Sequence, residues 1–485
     1  MAKKKNKDND VIVSFFGTQA DGVTGSNVTI SYNTLEGRKH LLVELGGKQG
    51  EGTILQEYNQ NKKLLDNIPI EGASYCFFIH QHCDHTMHLP ALSSYGFQGR
   101  TIMTDRCLAI TKKLILDATY IHKRNVEYLK GKGHKNVKLF YTEQDAHAVL
   151  DTVETYSVGG IHKLDDYISI RYSKNSHVLG ANQLELFIRK PDSKVVKIHI
   201  TSDLGNKNNL KLQPFLTETD IVTTSNLSIF ESTYGLGDRD FTYKDCIDER
   251  KELIETISRF IGNNQSVLIP CFSFGRLQSM MCFIYESFKD TWDMNVPIVV
   301  DTKLGNEINQ VYSRILEGEE KEYWDEVMNW KPFKYIKEYP STVAFLQSKQ
   351  NALVLSSSGM ISAGHSTMYA KQFLGDSKAA ILFCGYCSPS TIGGKILNES
   401  QKTVTIDGSL VLKRCYIKRF TTFSSHATQK DLIDYMKQIN TNHIVLHHGD
   451  EESKKALRDK AIEELRAINK TTKITCAFKD YQISL

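Results

Sequence analysis

The apolar run Tyr75–Ile79 passes directly into His80-Gln81-His82-Cys83-Asp84-His85, which crowds three imidazoles and a carboxylate into the point where a strand ends and a loop begins. A metal-free loop has no use for that density of lone pairs, whereas imidazole nitrogen and carboxylate oxygen are the ligand set zinc takes. The i, i+2 spacing lets His80 and His82 reach one ion while Asp84 and His85 reach another. A fold built round this cluster must bring further ligands from other strand ends. His177 stands in Ser176-His177-Val178-Leu179-Gly180-Ala181, Asp203 follows the strand pattern Val195–Ser202, and His448 precedes Gly449. Each alone reads as an ordinary loop residue. Together they complete two coordination spheres, with Asp203 as the candidate bridge. His199, in mid-strand, reads as a packed or surface residue, and His88, His365 and His447 have no assigned role.

At 485 residues the chain is long enough for two or three folding units, taking ~150 residues per domain. Its 60 basic and 56 acidic residues leave a net charge of +4, too small for a global attraction to polyanions, so any nucleic-acid contact must be local. No run nears the ~20 apolar residues of a spanning helix, and Met1–Asp10 is polar, so we expect no membrane and a cytoplasmic location. The ten cysteines sit mostly in apolar runs and read as core thiols of a reducing compartment; Cys384 and Cys387 have metal spacing but no second pair.

Short strand patterns at Val11–Phe16, Val28–Tyr32 and Leu41–Leu45 predict a sheet built of hairpins. A helical period over Ile110–Leu129 leads into the basic stretch Lys130-Gly131-Lys132-Gly133-His134-Lys135, which reads as a solvated loop able to touch phosphates. After Asp203 strands and helices alternate: Ser266–Phe272, Leu277–Phe288, Val296–Val300, Glu307–Leu316, Ala352–Leu355 and Ala380–Cys384. Such alternation implies a parallel sheet with covering helices. The expected boundaries are 1–207, an inserted α/β unit over 208–400, and a return to the first unit over 401–485.

HxHxDH, then SxHxLGA, then SDLG resemble the pattern of the metallo-β-lactamase fold in its β-CASP branch, the nucleic-acid processing nucleases. The resemblance covers nearly the whole chain. Gly17–Ser26 looks like the family's opening hairpin, Phe230–Gly235 like its motif A, Ile269–Arg276 like the strand-to-helix turn of its inserted domain. Ser358-Gly359-Met360 and Gly385-Tyr386-Cys387 match later landmarks, Phe423–His426 looks like motif B, and His448-Gly449-Asp450 like motif C. The family pattern has Asp where Glu44 stands, Gly where Met87 stands and Glu where Asp450 stands. Leu236 and Gly237 enlarge the loop after motif A.

The resemblance implies an αββα sandwich interrupted by an α/β β-CASP domain, with the site in a cleft between them. It implies two zinc ions, one held by His80, His82 and His177, the other by Asp84, His85 and His448, with Asp203 bridging and Asp84 counted in the catalytic centre. A water acidified between the ions attacks a phosphodiester in line, and His426, paired with Glu231, protonates the leaving oxygen. Single-stranded RNA is the expected partner, with Arg276, Ser357, Ser358 and Gly359 as phosphate contacts and a homodimer as one assembly open to the chain. A histidine at position 448 fits the family's RNA branch rather than its DNA-repair branch. The function implied is thus a zinc-dependent ribonuclease, endonucleolytic in mode. The alternatives are a hydrolase of DNA or of a small ester on the same fold, and a non-catalytic β-CASP scaffold subunit.

Overall fold

The computed structural model describes residues 11–16, 22–50, 52–207, 219–478 and 481–485; the polar start and the first half of the Gly17–Ser26 motif lie outside them. Two compact units emerge. The first takes in the chain up to Lys207, the segment ending at Asp240, and Ser425–Leu485; the second includes Phe241–Ser424.

The first unit stacks two seven-stranded sheets. Ile12–Ser14, Val28–Thr34 and Gly37–Val43 form the expected antiparallel meander. The sheet is not hairpins throughout, however: Gly37–Val43, Tyr75–Phe77 and Arg100–Met103 run parallel, because the helices Ile54–Asn67 and Cys83–Thr86 with its following turns carry the chain back between them. Strand alternation divides the side chains between two layers. Leu41 and Val43 enter a core shared with the facing sheet, where Ile198, Leu227 and Val445 meet them, while Leu42 turns outward to Leu64, Leu65, Cys107 and Ile115 on covering helices. The second sheet buries its outer face likewise, Phe230, Ile444 and Leu446 packing on Leu432, Met436, Leu457 and Ala461. Helix, sheet, sheet, helix is the αββα sandwich the motifs implied.

Three strands of the second sheet, Val195–Ile200, Thr224–Phe230 and Asn440–Leu446, run parallel to one another, so their carboxyl ends share one edge. Asp203, Glu231 and His448 follow those ends.

The second unit holds a six-stranded, wholly parallel sheet in the order Phe333–Ile336, Ile298–Asp301, Leu353–Ser356, Val267–Pro270, Ala380–Phe383 and Tyr416–Arg419. Its last strand corrects one expected boundary. Tyr416–Arg419 pairs with Ala380–Phe383, so the insertion runs to Ser424 rather than ending at 400. The other boundary shifts for the same reason: Thr224–Phe230 pairs with Val195–Ile200 and Asn440–Leu446, which keeps it in the first unit beyond 208. No helix among the described residues is long and apolar enough to cross a membrane. The described cysteines form no disulfide and are mostly buried, Cys384 and Cys387 included, and burial pushes the Cys387 thiol up to about 12.

Candidate metal centre

The histidine cluster owes its shape to backbone pinning. Leu45 and Gly47 donate to the carbonyls of His85 and Cys83 at 3.0 Å each, and Ser26 N–H donates to the Asp84 carbonyl at 2.7 Å. Gly46 lies where any Cβ would strike the Asp84 carbonyl and the Ser26 amide, so only glycine allows this approach. Met87, the departure from the family's glycine, does not crowd the cluster, because its side chain fills the space a Cβ on Gly47 would need.

His177 comes from the loop after Ile168–Lys174. Asn175, which sequence reasoning passed over, ties that loop to Asp203: its amide donates to the Asp203 carbonyl at 2.9 Å and to the Asn182 carbonyl at 3.0 Å, while its oxygen accepts from His177 N–H at 3.2 Å. An Asn two residues before a loop histidine is a turn signal that could have been read. Ser26 and Ser202 were also missed. Both hydroxyls donate to Glu44, Ser202 at 3.0 Å, and no local pattern links residues so far apart in sequence.

These segments bring the candidate site residues together in three overlapping groups: His80, His82, His177 and Asp203; Asp84, His85, Asp203 and His448; and Asp203 with the pair Glu231 and His426. Within each, one ligand atom per residue lies within 4.8 Å of every other. Ligands at ~2.0–2.1 Å on a tetrahedral ion stand ~3.3 Å apart. Asp203 Oδ2 lies 3.8 Å from His80 Nε2, 3.7 Å from His177 Nε2 and 3.3 Å from His85 Nε2, and Asp84 Oδ2 lies 3.3 Å from His448 Nε2. His80 Nε2 and His82 Nδ1 are closer, at 2.6 Å. His448 joins the cluster, and the adjacent His447 packs against Phe15 instead. His199 is hydrogen-bonded to Gln183 in the sheet interior, and His88 to Asn61.

Several buried atoms here have no hydrogen-bond partner among the described residues: His85 Nε2, His177 Nε2 and Asp203 Oδ1. The opposite nitrogens are engaged. His85 Nδ1 faces the Glu44 carboxylate at 2.7 Å and His177 Nδ1 faces the Ser425 carbonyl at 3.4 Å, which aims each Nε2 lone pair inward. Buried polar atoms left unsatisfied are costly, so a set converging on one point fits a cation. Burial, with neighbouring imidazoles, holds the pKa of His80 and His177 well below the usual imidazole value, and brings His82 to about 4, so all three are neutral as a metal requires. Burial alone would raise Asp203, but His448 and His85 hold its carboxyl well below the ordinary range. The residues present fit a pair of dications sharing Asp203.

Beside them, His426 Nδ1 lies 3.2 Å from Glu231 Oε2, and the other Glu231 oxygen accepts from Leu204 N–H at 2.6 Å. Burial disfavours charge on His426, but Glu231, and Asp203 beyond it, carry its pKa up to about 10. In the second unit, Arg276 begins the helix Arg276–Phe288, and Ser357, Ser358 and Gly359 follow the strand Leu353–Ser356. Both hydroxyls are engaged within this unit, Ser357 donating to Thr302 at the start of the helix Lys303–Ile315 at 2.7 Å and Ser358 accepting from Ser362 N–H in its own loop at 3.0 Å.

Comparison with known proteins agrees with this architecture. Residues 277–396 match the Beta-Casp domain, and residues 411–472 match the Zn-dependent metallo-hydrolase RNA specificity domain. Integrator complex subunit 11 of Danio rerio is 27% identical over 449 residues, 88% of this chain and 69% of that protein. Transcription termination factor FttA of Methanocaldococcus jannaschii is 26% identical over 398 residues, 79% of this chain and 59% of that protein. Endoribonuclease YSH1 of Eremothecium gossypii is 25% identical over 401 residues, 80% of this chain and 49% of that protein. Both matched domains, with an αββα sandwich interrupted by a parallel α/β unit, make the chain similar to the β-CASP branch of the metallo-β-lactamase fold.

Proposed function

We propose that this protein is a metal-dependent ribonuclease that cuts single-stranded RNA endonucleolytically, using two zinc ions. The observation that carries the reading is the pair of ligand groups sharing Asp203 with the His426–Glu231 pair against it. His80, His82 and His177 would hold one ion, Asp84, His85 and His448 the other, and Asp203 both. When bound, such ions supply positive charge against a phosphodiester and make water acidic enough to attack at neutral pH. His426 supplies the other half of the chemistry. With Nδ1 engaged by Glu231, the ring would hold a proton at Nε2 for the oxygen that leaves. Glu231 is fixed in turn by the Leu204 amide, so the imidazole keeps its orientation.

The names of two relatives, an endoribonuclease and a transcription termination factor, support RNA rather than a small ester as the substrate class. The name of the Integrator subunit supports work within an assembly, which makes other subunits as eligible as a second copy of this chain. Buried thiols that form no disulfide suit a reducing compartment.

The test is to incubate the zinc-loaded protein with single-stranded RNA and DNA of one sequence and to map the products. Internal cuts in RNA are expected, about two zinc ions per chain by elemental analysis, and no cutting by His80→Ala/His82→Ala. Faster cleavage of DNA would overturn the RNA assignment. A zinc-replete protein holding one ion or none would overturn the two-metal reading.

A further inference from the structure

The helix Asp105–Gly131 packs Ile110, Leu114, Ile115, Val126 and Leu129 inward and presents a different composition to solvent. Tyr120, Arg124, Tyr128 and Lys132 follow at steps of four, which on a helix places them in one row. Tyr120 is 59% exposed and Tyr128 52%. Each cation lies over the ring before it, the Arg124 guanidinium 6.0 Å from the Tyr120 centroid and the Lys132 ammonium 5.6 Å from that of Tyr128. Lys123, Lys130 and Lys135 stand exposed beside the row, with Glu127 the one exposed carboxylate between Tyr120 and Lys135.

Several surface lysines elsewhere are tied up locally. Lys62 pairs with Asp66, Lys430 with Asp434, Lys455 with Glu451 and Lys460 with Glu463. Along this row none of Lys123, Arg124, Lys130, Lys132 and Lys135 pairs with a carboxylate among the described residues. In a chain whose total charge is only +4, this end of the helix therefore concentrates uncompensated positive charge on an aromatic surface.

We propose that the row Tyr120, Arg124, Tyr128 and Lys132 is a binding surface for single-stranded RNA, separate from the metal centre; it rests on RNA being the substrate class. Exposed rings give bases a stacking platform whatever their identity, and cations at the same pitch meet the phosphates. A protein partner is disfavoured by the four lysines, Lys123, Lys130, Lys132 and Lys135, because the cores of protein interfaces are depleted in lysine. The helix starts beside the candidate centre, where the Arg106 backbone lies against Gly180 in the His177 loop. At ~1.5 Å per residue the row begins ~22 Å along it and ends ~40 Å along it. It would thus hold RNA several nucleotides from the bond being cut, which favours long substrates over short ones.

The experiment measures the affinity of a fluorescent 20-nucleotide poly(U) for the full chain by anisotropy, in a His426→Ala background that slows cleavage, over a range of salt concentrations. Tyr120→Ala/Tyr128→Ala should weaken binding by about tenfold or more, and Tyr120→Phe/Tyr128→Phe should leave it near the parent value, since stacking needs the ring and not the hydroxyl. Arg124→Ala/Lys132→Ala should flatten the salt slope by about 1.4, because each phosphate neutralised on a single strand adds ~0.7 to it. In the otherwise native chain, both Ala pairs should leave hydrolysis of bis(p-nitrophenyl) phosphate unchanged and the melting temperature within a few degrees. Unchanged affinity and slope in both Ala pairs would overturn the proposal, and if self-association changed instead, the row would be a protein interface. If the native chain cleaved neither RNA nor the chromogenic ester while binding still depended on the row, the nuclease reading would fail and the RNA surface would stand.

Discussion

The Glu44 carboxylate lies 2.7 Å from His85 Nδ1, and the hydroxyls of Ser26 and Ser202 donate to its two oxygens. Glu44 itself sits at φ +64°, a left-handed conformation that turns the chain out of its strand and under the histidine cluster. Removing the carboxylate leaves His85 free to rotate or change tautomer. Glu44→Ala should weaken zinc affinity by about 10–100-fold, the usual cost of losing a partner of a metal-bound histidine. Competition against a chelator of known affinity measures it, and Glu44→Asp, the residue common in the family, should lose less.

On the proposed assignment His426 is a proton donor rather than a ligand, so His426→Ala should keep the zinc content of the parent and lose about 10²–10⁴-fold in rate. His448→Ala should lose metal instead. Zinc content measured beside turnover separates the two, and the opposite pattern would exchange their roles.

The pH profile follows from the same pair. A general acid works while protonated, so kcat/KM should fall on the alkaline side as His426 gives up its proton. Its pKa in the metal-free protein lies at about 10, held there by Glu231 against burial, and bound cations would draw it down. Glu231→Gln removes the stabilising charge and should move the alkaline limb down by about 1–3 units. A limb that stays in place would assign it to another group.

Gly46→Ala should damage the site more than the fold. Its Cβ would displace the Asp84 carbonyl or the Ser26 amide, which hold the histidine loop in place. Overpacking of this kind costs about 1–3 kcal/mol. The expected result is a folded protein of lowered melting temperature with sharply reduced zinc content.

In the second unit, His365 Nδ1 lies 2.6 Å from Asp301, which also accepts from the Tyr369 hydroxyl at 2.7 Å. The hydrogen bond from the His365 ring to the Asp301 carboxylate raises the His365 pKa, and partial burial opposes it. A raised folded pKa contributes stability that is full below the unfolded value of about 6.5 and is lost as pH rises through the folded value. The melting temperature should therefore fall as pH is raised from 6 through that value, and Asp301→Asn should flatten this dependence while lowering stability throughout.

Sequence alone marked the candidate metal ligands of this protein because imidazoles and carboxylates crowd together at strict local spacings. His80, His82, Asp84 and His85 stand out as a local cluster, whereas His177, Asp203 and His448 each read as ordinary loop residues until taken together; the period-two strands and amphipathic helices beside them mark elements that pack locally, such as Gln429–Gln438 behind its Thr428 cap. What lay beyond the sequence is set by contacts between distant segments. The end of the insertion at Ser424 depends on Tyr416–Arg419 pairing with Ala380–Phe383, and strand partners are not written in a strand's own residues. The choice of His448 over His447 depends on which of two adjacent side chains the end of Asn440–Leu446 turns toward Asp84. The roles of Asn175, Ser26 and Ser202 exist only once the loops meet, since a hydroxyl or an amide acquires a function from what it faces. Residue chemistry is local and can be read along the chain; orientation and partnership are relations between segments, which only the folded sheets bring within hydrogen-bonding reach.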